Sequence, residues 1–370
     1  MSDYRDIDPT LTNVENADIL GVSETTIRRW KRVAEQNEQG YLYAASIRDE
    51  STGSWHKYKY PAPEPRWPVV QPATAVTVNV PFTPPKPNRG DYKLALKCAD
   101  TQIGFRALPD GTFESFHDES AMAVFANVVL REQPDSIDIL GDFLDLPSQS
   151  RWAQEAAFAR TTQLALDAAH AWLAVLRASA PKARIRIVEG NHDRRLQTYV
   201  ENNALAAFGL RQAGIPGGWP VLSLPNLLRL DELDIEYVDA YPAAATWDND
   251  TVRNIHGTKA NSRGSTTAQY AHDMPHISQW VGHTHRCEIT YKTVMGPRGE
   301  AIETYVANPG ALCKTDGTVP SVHGSTHADG TSARVVEDWQ TGWGANLYND
   351  TESWPFVFRI RDGKTLYSLS

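Results

Sequence analysis

Four short apolar runs, each leading into a glycine or an acid, set the rhythm of residues 92–312. Tyr92-Lys93-Leu94-Ala95-Leu96-Lys97-Cys98 leads to Asp100, and Ile137-Asp138-Ile139-Leu140 leads to Gly141-Asp142. Ile185-Arg186-Ile187-Val188 precedes Gly190-Asn191-His192-Asp193, and Ile277-Ser278-Gln279-Trp280-Val281 precedes Gly282-His283-Thr284-His285. Runs this short, bounded by turn residues, predict strands. Arg151 to Ser179 is rich in alanine and leucine and predicts one long helix packed on a sheet, with Trp152, Phe158, Leu164 and Trp172 in the core. Trp354 to Ile360 alternates as a late strand. Strands interleaved with helical stretches predict an α/β fold. Each polar group lies just past the carboxyl end of a strand, where such sheets place their ligand crevice.

The first 90 residues follow another pattern. Asn16-Ala17-Asp18-Ile19-Leu20 is helical in periodicity, Gly21-Val22-Ser23 is a turn, and Ser23 can cap a second helix over Glu24 to Arg32. Ala17, Leu20, Val22, Ile27 and Trp30 would fill the angle between the two helices. This reads as a helix-turn-helix over 1–40 whose second helix turns Thr25, Thr26, Arg28, Arg29, Lys31 and Arg32 outward, a set suited to DNA phosphates and base edges. Helical pairs of this shape also serve protein contacts. Residues 41–90 predict a small aromatic-rich hairpin followed by a proline-rich, extended linker. Residues 91–370 form the remaining domain.

Composition narrows the classes. Of 370 residues, 41% are hydrophobic and 22% charged, ordinary values for a globular chain. No apolar run reaches membrane-spanning length, and the acidic start Met1-Ser2-Asp3 is unlike a signal peptide. Cys98, Cys287 and Cys313 show no paired spacing, which suits a reducing cytoplasm. The net charge of −9 argues against a chain that binds nucleic acid over its whole surface, and leaves room for a local basic face. Homo-oligomerisation stays open. Ser321 to Ser332 reads as a surface loop, with His323 and His327 in it.

The polar groups read in order as D-x-Q (Asp100, Gln102), GD (Asp142), GNHD (Asn191, His192), a lone His256 and GHTH (His283, His285). Each is weak alone, since an acid after a strand is most often a turn residue and a buried histidine is usually a satisfied core residue. Together they supply hard carboxylate oxygens and imidazole nitrogens from several segments, the donor set a pair of divalent cations needs. Two such ions about 3.5–4 Å apart can clamp the attacking and leaving oxygens of a phosphoryl displacement.

This order resembles the calcineurin-like metallophosphoesterases, whose pattern is D-x-H, GD, GNHD, H and GHxH, over about Tyr92 to Leu312; Asn308-Pro309-Gly310 also resembles that family's N-P-G. The resemblance implies a β-sandwich flanked by helices, with the ions at one edge. It implies Asp100, Gln102, Asp142 and His285 around a first metal, Asp142 as the bridge, and Asn191, His256 and His283 completing a second site. His192 would bind no metal and would act as general acid, a role suited to an imidazole titrating near ~6.5. Gln102 departs from the family's histidine, so the first site is either a weaker, Mn²⁺-tolerant one or is completed by water. Arg194 or Arg195 could fork onto substrate phosphate; the alternative is a solvated start to the next helix.

These readings converge on a divalent-metal-dependent phosphodiesterase or nuclease working through metal-activated hydroxide, Mn²⁺ foremost with Zn²⁺, Fe²⁺ or Mg²⁺ as alternatives. DNA is the expected substrate, targeted by the helix-turn-helix, in a bacterial or phage-infected host cytoplasm. The core is similar to that of double-strand-break repair nucleases. Two rivals are a phosphomonoesterase or cyclic-nucleotide phosphodiesterase with a protein-binding helical module, and a non-catalytic DNA-binding protein on a degenerate scaffold.

Overall fold

A computed structural model describes residues 7–8, 10–38, 43–48, 55–60, 76, 78–80, 82–151, 155–212, 218–260, 265–320, 338–367 and 369, with backbone alone for 33–38, 43–48 and 55–60. Trp152, His323, His327 and most of the proline-rich stretch fall outside these. The chain divides into two compact units, Met1–Ala73 and Thr74–Ser370.

In the first unit, α1 (Asn13–Leu20) begins at a capping box in which Thr12 and Glu15 satisfy each other's amides, and ends at Gly21 with φ 65°. α2 (Glu24–Glu38) follows. Ala17 and Ile27 are buried, and Leu20, Val22 and Trp30 are half-buried. β1 (Tyr43–Arg48) and β2 (Trp55–Tyr60) pair antiparallel.

The second unit is α/β, with two sheets face to face and helices outside. β3 (Lys93–Cys98) leads into the small hairpin β4 (Phe105–Ala107) and β5 (Phe113–Ser115), then α3 (Glu119–Glu132), β6 (Ser136–Ile139), α4 (Thr162–Ser179) and β7 (Arg184–Val188). α5 (Arg194–Asn203), α6 (Leu224–Leu227) and β8 (Ile235–Val238) complete the first half. The second half holds β9 (Thr246–Asn249), β10 (Val252–Ile255), α7 (Thr266–Asp273), β11 (Ser278–Val281), β12 (Cys287–Met295) and β13 (Ala301–Pro309). The chain then returns through β14 (Gly342–Tyr348), β15 (Ser353–Arg361) and β16 (Lys364–Thr365). The larger sheet is ordered β16-β15-β14-β3-β6-β7-β8 and the smaller β12-β13-β11-β10-β9. β3, β6, β7 and β8 run parallel, as do β10, β11 and β13.

Alternation along each strand sorts its side chains between two layers. Leu94, Leu96, Cys98, Ile137, Ile139, Ile185 and Ile187 join the core beneath α3 and α4. The opposite face meets the smaller sheet, where Ala99 and Leu140 pack with Val252, Trp280, Tyr305 and Ala307. That same face carries Lys97, Asp138 and Arg186, all buried. Lys97 Nζ pairs with Asp138 and, at 2.6 Å, with Asp248; Arg186 Nε donates to Asp138 at 2.5 Å. Asn254 and Asn346 donate to the same Asp248 carboxylate. The apolar runs thus hide an ionic layer between the sheets.

The long helix expected over 151–179 begins only at Thr162. Ala156–Phe158 form a 3₁₀ turn and Arg160 has φ 63°, which no α-helix contains. The break lets Phe158 leave the main core and meet Phe116 edge-on at 6.3 Å. Leu164 is half-buried and Trp172 buried.

Candidate metal centre

The polar groups meet at the carboxyl ends of β3, β6, β7, β10 and β11, the strands they follow in sequence. Parallel pairing in register makes those ends adjacent. The connecting backbone is cross-tied: Gln102 N–H donates to the Asp142 carbonyl at 2.9 Å and Gly282 N–H to the His256 carbonyl at 2.9 Å. Gly190 must be glycine, because a Cβ there would lie 2.2 Å from the Asp142 nitrogen. Gly141, with φ 82°, lies where a Cβ would strike the His256 ring.

Two donor groups result. In one, Asp142, His256 and His283 bring ligand atoms within 4.8 Å of one another. His256 Nδ1–H donates to the Leu140 carbonyl at 2.7 Å, so its Nε2 lone pair faces Asn191 Oδ1 at 3.1 Å and Asp142 Oδ2 at 3.2 Å. In the other group, His285 Nε2 lies 3.2 Å from Asp100 Oδ1 and 3.3 Å from the Gln102 amide. The two are stitched by His283 N–H, which donates to Asp100 Oδ2 at 2.9 Å. Asn308 donates to the Gly282 carbonyl and to Thr284 Oγ1, holding the GHTH turn. The His285 ring packs against Trp339, centroids 3.8 Å apart.

These donors fit divalent cations. Asp100 Oδ1 and Gln102 Oε1 are buried without a hydrogen-bond partner, and isolated buried acceptors are costly. His256 turns a lone pair toward two oxygens, an arrangement that needs either a proton or a cation between them. Without the cation, burial lowers the His256 pKa, but Asp142 and Asp100 outweigh it and push it up to about 9. Burial raises the Asp142 carboxyl, yet His192 and His256 hold it well below its usual range. Burial and the neighbouring His256 lower His283 to about 4, leaving its imidazole neutral and able to coordinate.

His192 flanks the first donor group at Asp142. Its amide donates to Asp142 Oδ1 at 2.8 Å. Its Nδ1 lies 2.6 Å from Asp145 Oδ1; a carboxylate can only accept, so Nδ1 carries the proton and Nε2, 3.8 Å from Asp142 Oδ2, carries the lone pair. Arg195 Nη2 lies 3.0 Å from that Nε2 and Nη1 donates to the Asp145 carbonyl. Arg194 is not beside it: its guanidinium pairs with Glu189 and Glu201, 3.8 Å away each.

Sequence reasoning missed Asp145, although a second acid three residues after Asp142 was a usable signal. GNHD also ends in an acid, Asp193, whose carboxylate is competent to ligate by its chemistry alone. Asp193 instead accepts from the amides of Gly190, Phe143 and Leu144, and burial with Asp142 nearby raises its carboxyl to about 6.

On α2, Thr25, Arg28, Arg29 and Arg32 are exposed and Thr26 and Lys31 half-buried. Arg28 is engaged by Glu24 one turn back at 2.5 Å, and Lys31 Nζ reaches the Leu11 carbonyl at 3.4 Å.

No family model matches the chain. It is 27% identical over 175 residues to the Gene 54 protein of Mycobacterium phage D29, a match covering 46% of this chain and 65% of that one, so less than two thirds of that relative is spanned. Similar solved structures include Vacuolar Protein Sorting 29 from Cryptosporidium parvum, with TM-score 0.34, 14% identity and coverage of 75% of this chain and 96% of that one. YfcE, a phosphoesterase from E. coli, gives TM-score 0.29, 13% identity and coverage of 74% and 97%. Superpositions this loose carry no functional argument. Among the described residues no helix is long and apolar enough to cross a membrane. What this chain does has to be read from its own donor cluster.

Proposed function

We propose that this chain is a calcineurin-like metallophosphoesterase that hydrolyses phosphodiester bonds in DNA with two divalent cations, Mn²⁺ foremost. The observation that carries the reading is the convergence of Asp100, Gln102, Asp142, Asn191, His256, His283 and His285 at the strand ends, with buried acceptor atoms left open. Asp142 would be the residue shared between the two donor groups; its Oδ1 accepts from the His192 amide and its Oδ2 faces His256. When bound, the cation pair supplies Lewis acidity and a nucleophile at neutral pH. The remaining work falls to the chain. His192, held by Asp145 at Nδ1, would take up a second proton on Nε2 and, as imidazolium, deliver it to the leaving oxygen. Arg195 offers guanidinium hydrogens beside that nitrogen, where a phosphate oxygen would accept them. Arg28, Arg29 and Arg32, with Thr25, Thr26 and Lys31, are the proposed DNA contacts of the N-terminal unit. A tethered reader raises local substrate concentration without adding catalytic contacts.

The test is a parallel assay with Mn²⁺ on bis-p-nitrophenyl phosphate, p-nitrophenyl phosphate, a cyclic nucleotide and single- and double-stranded DNA. Cleavage of the diester and of DNA is expected. Turnover of the monoester or cyclic nucleotide alone would move the reading to its rivals, and no turnover of any substrate would leave the non-catalytic one.

A further inference from the structure

A cavity of about 670 Å³ borders the cluster along α5. Arg195, Thr198, Tyr199 and Asn202 line it at spacing i, i+3, i+4 and i+7, which is one face of a helix. The opposite stripe packs inward, Val200 buried and Leu196 against the main core. The helix is therefore amphipathic, with its polar face given to the cavity. Ser148 and Gln149 form a facing wall, fixed by hydrogen bonds to Thr162. Among the described residues lining the cavity there is no aspartate or glutamate, in a chain of net charge −9. At its inner end Asn191 faces His256 and Arg195 faces His192, so the cavity opens onto the reacting centre.

Tyr199 is the odd member of this wall, a large aromatic 44% exposed among amides and hydroxyls. We propose that the cavity binds an unpaired nucleotide flanking the scissile phosphate, with Tyr199 as the stacking surface for its base; this rests on the phosphodiesterase reading. The volume lies within the roughly 300–1,000 Å³ of small-ligand sites. The Asn202 amide offers donors and an acceptor, the chemistry of a base edge, and Gln149 is held by Ser148 and Thr162 as part of the wall. A base inside a duplex has both faces covered by its neighbours and cannot give one to Tyr199, so the site selects single strands or frayed ends. Tyr199 would set specificity and Arg195 would meet the phosphate.

The experiment compares full-length wild type with Tyr199→Ala and Tyr199→Trp in Mn²⁺. Base–aromatic stacking contributes about 1–3 kcal/mol per base, so Tyr199→Ala should raise KM for a single-stranded oligodeoxynucleotide roughly 5- to 150-fold, at tenfold per about 1.4 kcal/mol. kcat should change little, and Tyr199→Trp should restore KM. The KM for bis-p-nitrophenyl phosphate, which has no nucleobase, should move far less. Fluorescence anisotropy of the labelled oligonucleotide without metal reads the same loss without turnover. Equal KM changes on both substrates, or wild-type oligonucleotide affinity in Tyr199→Ala, would overturn the nucleotide site alone. Intact oligonucleotide binding by a wild type that cleaves no diester would overturn the phosphodiesterase reading instead.

Discussion

Asp100, Gln102, Asp142, His283 and His285 all hold left-handed backbone, with φ of 52°, 45°, 48°, 73° and 57°. Such conformations cost side-chain-bearing residues on the order of 1–3 kcal/mol each and persist only where surroundings impose them. Here they coincide with the proposed donors, so the strain aims side chains that a relaxed strand end would splay. The sequence identified which residue types meet, because their chemistry is written in them. Their backbone was not legible, since nothing in Asp-Thr-Gln announces a positive φ. Asp145 was missed for a related reason: its partner His192 lies 47 residues away, and only the fold brings them to 2.6 Å. Removing His192 as His192→Ala should lower turnover by about 10²–10⁴ with bound metal near wild type. Asp145→Asn should give a smaller loss of the same kind. Parallel kinetics and metal analysis check this, and metal loss from His192→Ala would make it a ligand. A second residue-scale expectation concerns His117, whose pKa burial, with Lys314 nearby, lowers to about 4. The unfolded ring protonates near ~6.5, so between these values the unfolded state binds more protons. Stability should therefore fall as pH drops from 6.5 toward 4. Urea unfolding at pH 7 and pH 5 should show a smaller drop for His117→Gln than for wild type; identical drops would contradict it.

Among elements, the strands were the most legible. The runs ending at Cys98, Leu140, Val188 and Val281 all became strands of the two sheets, within a residue or so at each end. Their inward face was less so: Lys97, Asp138 and Arg186 interrupt the apolar pattern, and only the second sheet gives them Asp248 as a partner. The helix over 151–179 was overextended because alanine and leucine favour helix locally, whereas Phe158 is drawn to Phe116 by a separate small core. The turn between β7 and α5 is the tightest element at the site. Gly190→Ala would drive a Cβ to 2.2 Å from Asp142 N and 2.3 Å from its Oδ1. Overpacking of this kind costs about 1–3 kcal/mol. The variant should unfold at lower urea and bind metal more weakly, measured by chemical denaturation and metal titration. Wild-type values in both would mean that the turn yields without moving Asp142.

Across the whole molecule, two units with different chemistry share one chain, divided at Ala73 and Thr74. The acidic net charge leaves DNA affinity to local faces, and among the described residues of the first unit α2 carries exposed arginines. Arg28 is already paired with Glu24, so Arg29 and Arg32 should dominate phosphate contact. Arg29→Ala combined with Arg32→Ala should make the logarithmic salt slope of duplex DNA binding shallower by about 0.9 per lost contact. An unchanged slope by anisotropy would point to a protein-binding role for the helical pair. The central claim, that seven side chains from five strand ends hold two divalent cations bridged by Asp142, is tested most directly by counting metal. Elemental analysis of Mn²⁺-loaded, gel-filtered protein should find about two ions per wild-type chain, the two-metal arrangement, and a clear loss in Asp142→Ala. No retained ion in the wild type, or the same content in both proteins, would contradict it.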